Sequence, residues 1–182
     1  RPKWPRMSIN GRNKVLSTSD FGVAALGTHM SGLIDWHAGI FNGEGYGRPE
    51  QSSSKTAQAR LTVDPLARSA NTHLPLTLSV SQDMLLADNE QAKQVLAASS
   101  GISTPVFLGL GEVLMDKQGP LTGVGYSATM MLRKAALATA LLRYDSFDPD
   151  PETDGDSSNT WIAGLTRELH DTISAGLIYE RI

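Results

Sequence analysis

A two-residue alternation of apolar and polar side chains, recurring along most of the chain, constrains its fold more than any other feature. Ala57, Ala59, Leu61 and Val63 alternate with Gln58, Arg60, Thr62 and Asp64, and Pro65 ends the run. Leu74, Leu76, Leu78 and Val80 alternate with Thr77, Ser79 and Ser81. Ile34, Trp36, Ala38 and Ile40 alternate with Asp35, His37 and Gly39, and Ile173, Ala175, Leu177 and Tyr179 with Ser174, Gly176, Ile178 and Glu180. Side chains on a β-strand point to opposite faces in turn, so this period predicts strands with one apolar and one polar face. Ten strands are expected near 20–29, 33–41, 57–64, 73–82, 93–100, 104–115, 121–132, 135–147, 159–168 and 172–181.

The links between them carry a second pattern. Short links fall near 30–32, 65–71, 100–104, 133–135 and 170–172, and longer polar ones near 42–56, 83–91, 116–120 and 148–158. Strict alternation of short and long is what an up-and-down barrel across an outer membrane shows, with tight turns at one end and longer loops at the other. The expected fold class is therefore all-β, an antiparallel up-and-down transmembrane β-barrel over a single domain, 1–182. Two segments pull the other way. Residues 83–101 and 128–142 are rich in Ala, Leu and Met, and propensity alone favours helix there, with Gly101 suited to a helix end. A membrane-anchored barrel subunit of a larger assembly, a soluble β-rich binding module with an acidic loop as ligand site, and an α/β enzyme remain as alternatives.

Bulk properties narrow the function classes. A net charge of −3 over 182 residues argues against a general nucleic-acid binder. Without cysteine there is no disulfide framework, thiolate metal site or cysteine nucleophile. No stretch reaches the ~20 apolar residues of a membrane helix, whereas a mean hydropathy of −0.19 is compatible with spanning strands, which are apolar at every second position only. The chain opens on Arg1 and shows no apolar leader, so processing or truncation is expected.

Several stretches resemble the phosphate-selective porin O/P family of bacterial outer-membrane barrels. They are Ser17-Thr-Ser-Asp-Phe-Gly-Val23, Trp36-His37, Ile40-Phe-Asn-Gly-Glu-Gly-Tyr-Gly-Arg-Pro-Glu50, Ala57-Gln-Ala-Arg-Leu-Thr-Val-Asp-Pro-Leu66 and Leu142-Arg-Tyr-Asp-Ser-Phe-Asp148. The similarity is sharpest over residues 17–66. It implies a porin, a passive channel for small solutes or ions, with outer-membrane lipid and lipopolysaccharide around it and a homotrimer as the assembly. Family members have about sixteen strands and usually end on an aromatic residue, whereas this chain ends Tyr179-Glu-Arg-Ile182. Further strands are thus expected at both ends. The family's basic ladder has no counterpart here, so phosphate specificity is not carried over.

Inward candidates on the polar faces are Asp35, His37, Gln58, Arg60, Asp64, Glu112, Arg133, Arg143, Asp145 and Glu180. They are expected to line a pore, or to satisfy one another in a polar interior. Mixed signs imply weak ion selectivity. Trp36, Tyr126, Tyr144, Trp161 and Tyr179 suit interfacial aromatic girdles, or ordinary core packing. From Asp150 the run Asp148-Pro-Asp-Pro-Glu-Thr-Asp-Gly-Asp156 imitates a calcium loop, but position twelve is Trp161 rather than Glu, and a solvated loop is the better reading. His29, His37, His73 and His170 lack ligand spacing. The glycines of Asn42-Gly-Glu-Gly-Tyr-Gly47 do not match a phosphate-binding fingerprint. No catalytic, cofactor or metal residue is assigned, and no enzyme activity is expected.

Overall fold

The computed structural model describes residues 21–42, 55–84, 91–134, 138–170 and 173–182. They form a single antiparallel sheet of ten strands in sequential order. The strands are β1 (Gly22–His29), β2 (Ile34–Phe41), β3 (Lys55–Val63), β4 (Leu76–Met84), β5 (Lys93–Ser103), β6 (Phe107–Gln118), β7 (Leu121–Lys134), β8 (Ala138–Asp148), β9 (Ser158–His170) and β10 (Ile173–Arg181). Every strand pairs with its neighbour in the chain. β1 and β10 are the edges and do not pair with each other among the described residues, so the sheet is open.

The described parts of both Ala/Leu-rich segments are strand and correct the helical alternative there; residues 85–90 and 135–137 lie outside the described residues. Residues 93–103 are strand, and 121–134 and 138–148 form two paired strands, with Met130 opposite Leu142. Helix propensity is a fraction of a kcal/mol per residue. A central strand gains a hydrogen-bonded ladder on each side and cross-strand packing, which outweighs it.

The expected rhythm of links fails at two places. The link placed at 65–71 runs from 64 to 75, and Leu74, expected in a strand, lies within it. The link placed at 116–120 is only Gly119 and Pro120, because β6 and β7 stay paired to Gln118 and Leu121. Gly119 has φ +60° at the first turn position, the conformation a two-residue hairpin asks of glycine.

Cross-strand partners share a face, so the register sorts the side chains into two sets. On one face lie nearly all the buried residues, including Ser81, Val95, Ala97, Leu114, Ser127, Met131, Leu141, Asp145 and Ile162. No second layer of described structure covers that face. Its shielding comes from curvature: Phe147 on β8 reaches the Val95–Ala97–Leu114 cluster of β5 and β6, and Leu108 on β6 packs on Met131, Leu141 and Ile162. A single layer can shield only its concave side in this way. The opposite, convex face carries exposed apolar side chains from Val23 on β1, 82% exposed, to Leu177 on β10, 81% exposed.

Candidate functional site

The concave face gathers the polar residues singled out by alternation. His37 pairs with Arg60, Gln58 with Ser81, Asp35 with Thr62, Glu112 with Ser127, and Arg143 with Ile162, which in turn pairs Glu180. Arg133 on β7 belongs to the same set by its register with Thr139. Asp35, His37, Gln58, Arg60, Glu112, Arg133, Arg143, Asp145 and Glu180 thus share one surface. His37, Gln58, Arg60, Ser79, Ser81 and Val95 line a recess of about 320 Å³ in it.

Two ion pairs order the deeper part. Arg143 donates from Nε to both oxygens of Asp145, at 2.8 Å and 3.0 Å. Lys93 Nζ lies 3.3 Å from Asp116 Oδ2 across β5 and β6. Asp83 accepts from the Thr56 hydroxyl at 2.8 Å and from the Lys93 N–H at 3.2 Å. Asp83, Lys93 and Asp116 were missed by sequence reasoning because the first and last fell in expected links. Carrying the odd–even alternation of β4, β5 and β6 to the strand ends would have found them.

Asp64 sits apart from the others. It lies one residue beyond β3 and accepts from the N–H groups of Leu66 at 3.0 Å and Leu74 at 2.9 Å, with His73 Nδ1 at 2.8 Å from its other oxygen. Partial burial disfavours its charge, but the hydrogen bonds from Leu74, His73 and Leu66 outweigh this and hold the carboxyl below its ordinary value. Its observed role is to pin the link between β3 and β4.

The convex face has its own order. Exposed Leu61, Leu76, Leu78, Val113, Met130, Leu142 and Leu165 occupy its middle. Lys55, Gln82, Gln94, Lys117, Asp148 and Asn159 stand on this face towards the strand ends at the β2–β3, β4–β5, β6–β7 and β8–β9 links. Near that margin Tyr126, Tyr144 and Trp161 stack, with centroids 5.9 Å and 4.6 Å apart, and the Tyr144 hydroxyl donates to Asn159 at 2.7 Å. Tyr179 lies on the same face of β10. Trp36 is at the other margin, its indole N–H on His29 Nε2 at 3.0 Å. All five aromatics named above are therefore on the convex face.

In the acidic link after β8, Asp150 accepts from the Glu152 N–H and the Thr153 hydroxyl. Partial burial first, and then the charges of Asp148 and Asp150, push the Asp156 carboxyl above its ordinary value. Among the described residues no group of three or more His, Asp or Glu side chains could hold a metal ion. The His170 side chain and residues 43–47 lie outside the described residues. No family model, curated protein or solved structure matches the chain, so its functional reading rests on these two faces of the sheet.

Proposed function

We propose that this sheet is part of the wall of an outer-membrane β-barrel porin, a passive channel for small solutes or ions with no covalent chemistry. One observation carries the reading: an exposed apolar face runs across all ten strands while the charged and polar residues singled out by alternation, such as Asp35, Arg60, Glu112 and Arg143, collect on the opposite, concave face. Water-soluble monomers rarely expose apolar patches beyond a few hundred Å². A soluble sandwich would cover such a face with a second sheet. A bilayer core accommodates it without one, and the concave side then faces water.

The dimensions fit. Outward apolar positions on β7 run from Val124 to Leu132. At ~3.4 Å per residue and a tilt of ~40° they cover about 20 Å of bilayer, close to the ~25 Å apolar band of known barrels. Tyr126, Tyr144, Trp161 and Tyr179 would form one girdle and Trp36 belongs to the other. Unpaired strand edges are not tolerated in lipid, so β1 and β10 would be closed by further strands. The resemblance to phosphate-selective porins agrees with this architecture and leaves the solute open. Lipopolysaccharide contact and a homotrimer follow from that resemblance.

The test is reconstitution of the purified full-length protein into planar bilayers, with gel mobility before and after heating. Stepwise conductance and heat-modifiable migration are expected. Heat-modifiable migration without conductance would favour a barrel that anchors a larger assembly. A monodisperse protein in water without detergent would defeat the membrane reading.

A further inference from the structure

The recess on the concave face is built from side chains that no single strand supplies. Two neighbouring rows of the register form it, with His37, Arg60 and Ser79 in one and Gln58, Ser81 and Val95 in the other. In each row β3 contributes a long polar side chain, Arg60 or Gln58, and β4 a serine. The two short serine side chains leave open a space of about 320 Å³, at the small end of the range for ligand cavities.

The groups around this space have hydrogen-bonding capacity to spare. Among the described residues the side chains of Gln58, Arg60 and Ser81 make no hydrogen bond or ion pair. Ser81 is only 5% exposed, and a buried hydroxyl ordinarily finds a partner. Ser79 donates one long bond, 3.5 Å, to the Ala97 carbonyl. The charges in the flanking rows are engaged elsewhere. On one side the next row is Asp35, Thr62, Thr77 and Ser99, where Asp35 accepts from the Thr28 hydroxyl and the Thr62 and Thr77 hydroxyls meet. On the other side Asp83 accepts from the Thr56 hydroxyl and the Lys93 N–H, and the Lys93 ammonium turns to Asp116. Arg60 is thus a cation open to an anion, with a carboxylate in the row on either side of the recess.

We infer that this recess is a solute subsite of the proposed channel and that it takes a small monocarboxylate bearing hydroxyl groups. The inference rests on the channel reading above and adds the class of solute and the residues that hold it. The planar fork of a guanidinium matches the two oxygens of a carboxylate. Gln58 both donates and accepts, and the Ser79 and Ser81 hydroxyls can do either, which suits hydroxyl groups on the solute. Val95 offers an apolar wall to its carbon atoms. Asp35 and Asp83 set a limit on charge: one guanidinium balances one negative charge, and a second would face the flanking carboxylates uncompensated. A few polar contacts in an open recess also release their solute readily, as passage requires.

The test is saturation-transfer NMR on the detergent-solubilised full-length protein, which reads weak binding without any current. Glycerate is the probe, acetate and glycerol are its two halves, and inorganic phosphate is the competing anion. Glycerate should bind more tightly than either half and more tightly than phosphate. Arg60→Gln should weaken glycerate at least about tenfold, the loss of charge-assisted hydrogen bonds, and Arg60→Lys should recover part of it. Ser81→Ala should weaken glycerate about fivefold and acetate less. Phosphate binding as tight as that of glycerate overturns the solute class. Glycerate that binds no better than acetate, or equally well to Arg60→Gln, overturns the subsite. Folding of each variant is read from heat-modifiable mobility, and if a variant does not fold the ranking of the four probes on the wild type still decides. Current in planar bilayers without glycerate binding defeats this inference and leaves the channel reading standing. Absence of any current defeats the channel reading and the subsite's part in passage with it.

Discussion

Arg143 and Asp145 stand two residues apart on β8, side by side on the concave face, and the arginine Nε donates to both carboxylate oxygens. Their side chains are 11% and 5% exposed. A pair this shielded has given up most of its hydration, so removing one partner leaves the other poorly solvated. Asp145→Ala should cost about 3–5 kcal/mol. Joint replacement, Arg143→Met with Asp145→Leu, should recover most of the loss. Urea unfolding in detergent, followed by tryptophan fluorescence, measures both. A loss below about 1 kcal/mol would class the pair with exposed ion pairs.

The alternation on β4 makes an opposite prediction for adjacent residues. Leu78 is on the convex face and Ser79 on the concave one, beside Arg60. The protein has no cysteine, so single cysteines report cleanly. In vesicles, Ser79→Cys should react with a membrane-impermeant thiol reagent and Leu78→Cys should not. Leu78→Arg should cost about 2–4 kcal/mol if the site lies near the bilayer midplane. Labelling at position 78 and protection at 79 would reverse the assignment of faces.

Asp64 links the β3–β4 segment to pH. Its carboxyl titrates lower in the fold than in the unfolded chain, whose value is near 3.8. The stability it contributes is therefore fully present above that value and is lost as pH falls through the lower, folded one. Amide exchange at Leu66 and Leu74, whose N–H groups it accepts, should accelerate relative to neighbouring amides as pH falls below 3.8 and through the lower, folded value. Asp64→Asn should remove that acid-side change.

Two glycines in strands should respond with opposite signs. A Cβ at Gly111 on the convex face meets nothing within 4 Å, whereas one at Gly39 meets the Ala24 Cβ at 2.7 Å and the Val23 carbonyl at 2.9 Å. Gly111→Ala should stabilise by about 0.5–1 kcal/mol, the usual gain from restricting the unfolded chain. Gly39→Ala should destabilise, because backbone and not a flexible side chain stands in the way. Unfolding midpoints of the two variants, compared in one detergent, check the pair.

The period of two by itself determined where most of the strands are and which of their residues share a face, because that depends only on the geometry of an extended backbone. It therefore placed Asp35, His37, Gln58, Arg60, Arg133, Arg143, Asp145 and Glu180 together, and Trp36, Tyr126, Tyr144, Trp161 and Tyr179 opposite them. It could not place Asp64, whose role depends on where β3 stops and on two amides beyond it. Nor could it show that 116–120 is a tight hairpin, since polar residues suit a strand end and a loop equally. It left 83–101 and 128–142 open between strand and helix, because local propensity is weaker than ladders formed with distant segments. Only the tertiary structure decided the register. Lys93 meets Asp116, and Asp35, Glu112 and Asp145 fall into one hydroxyl-lined row, because each strand slides against its neighbour to a setting that many side chains fix jointly.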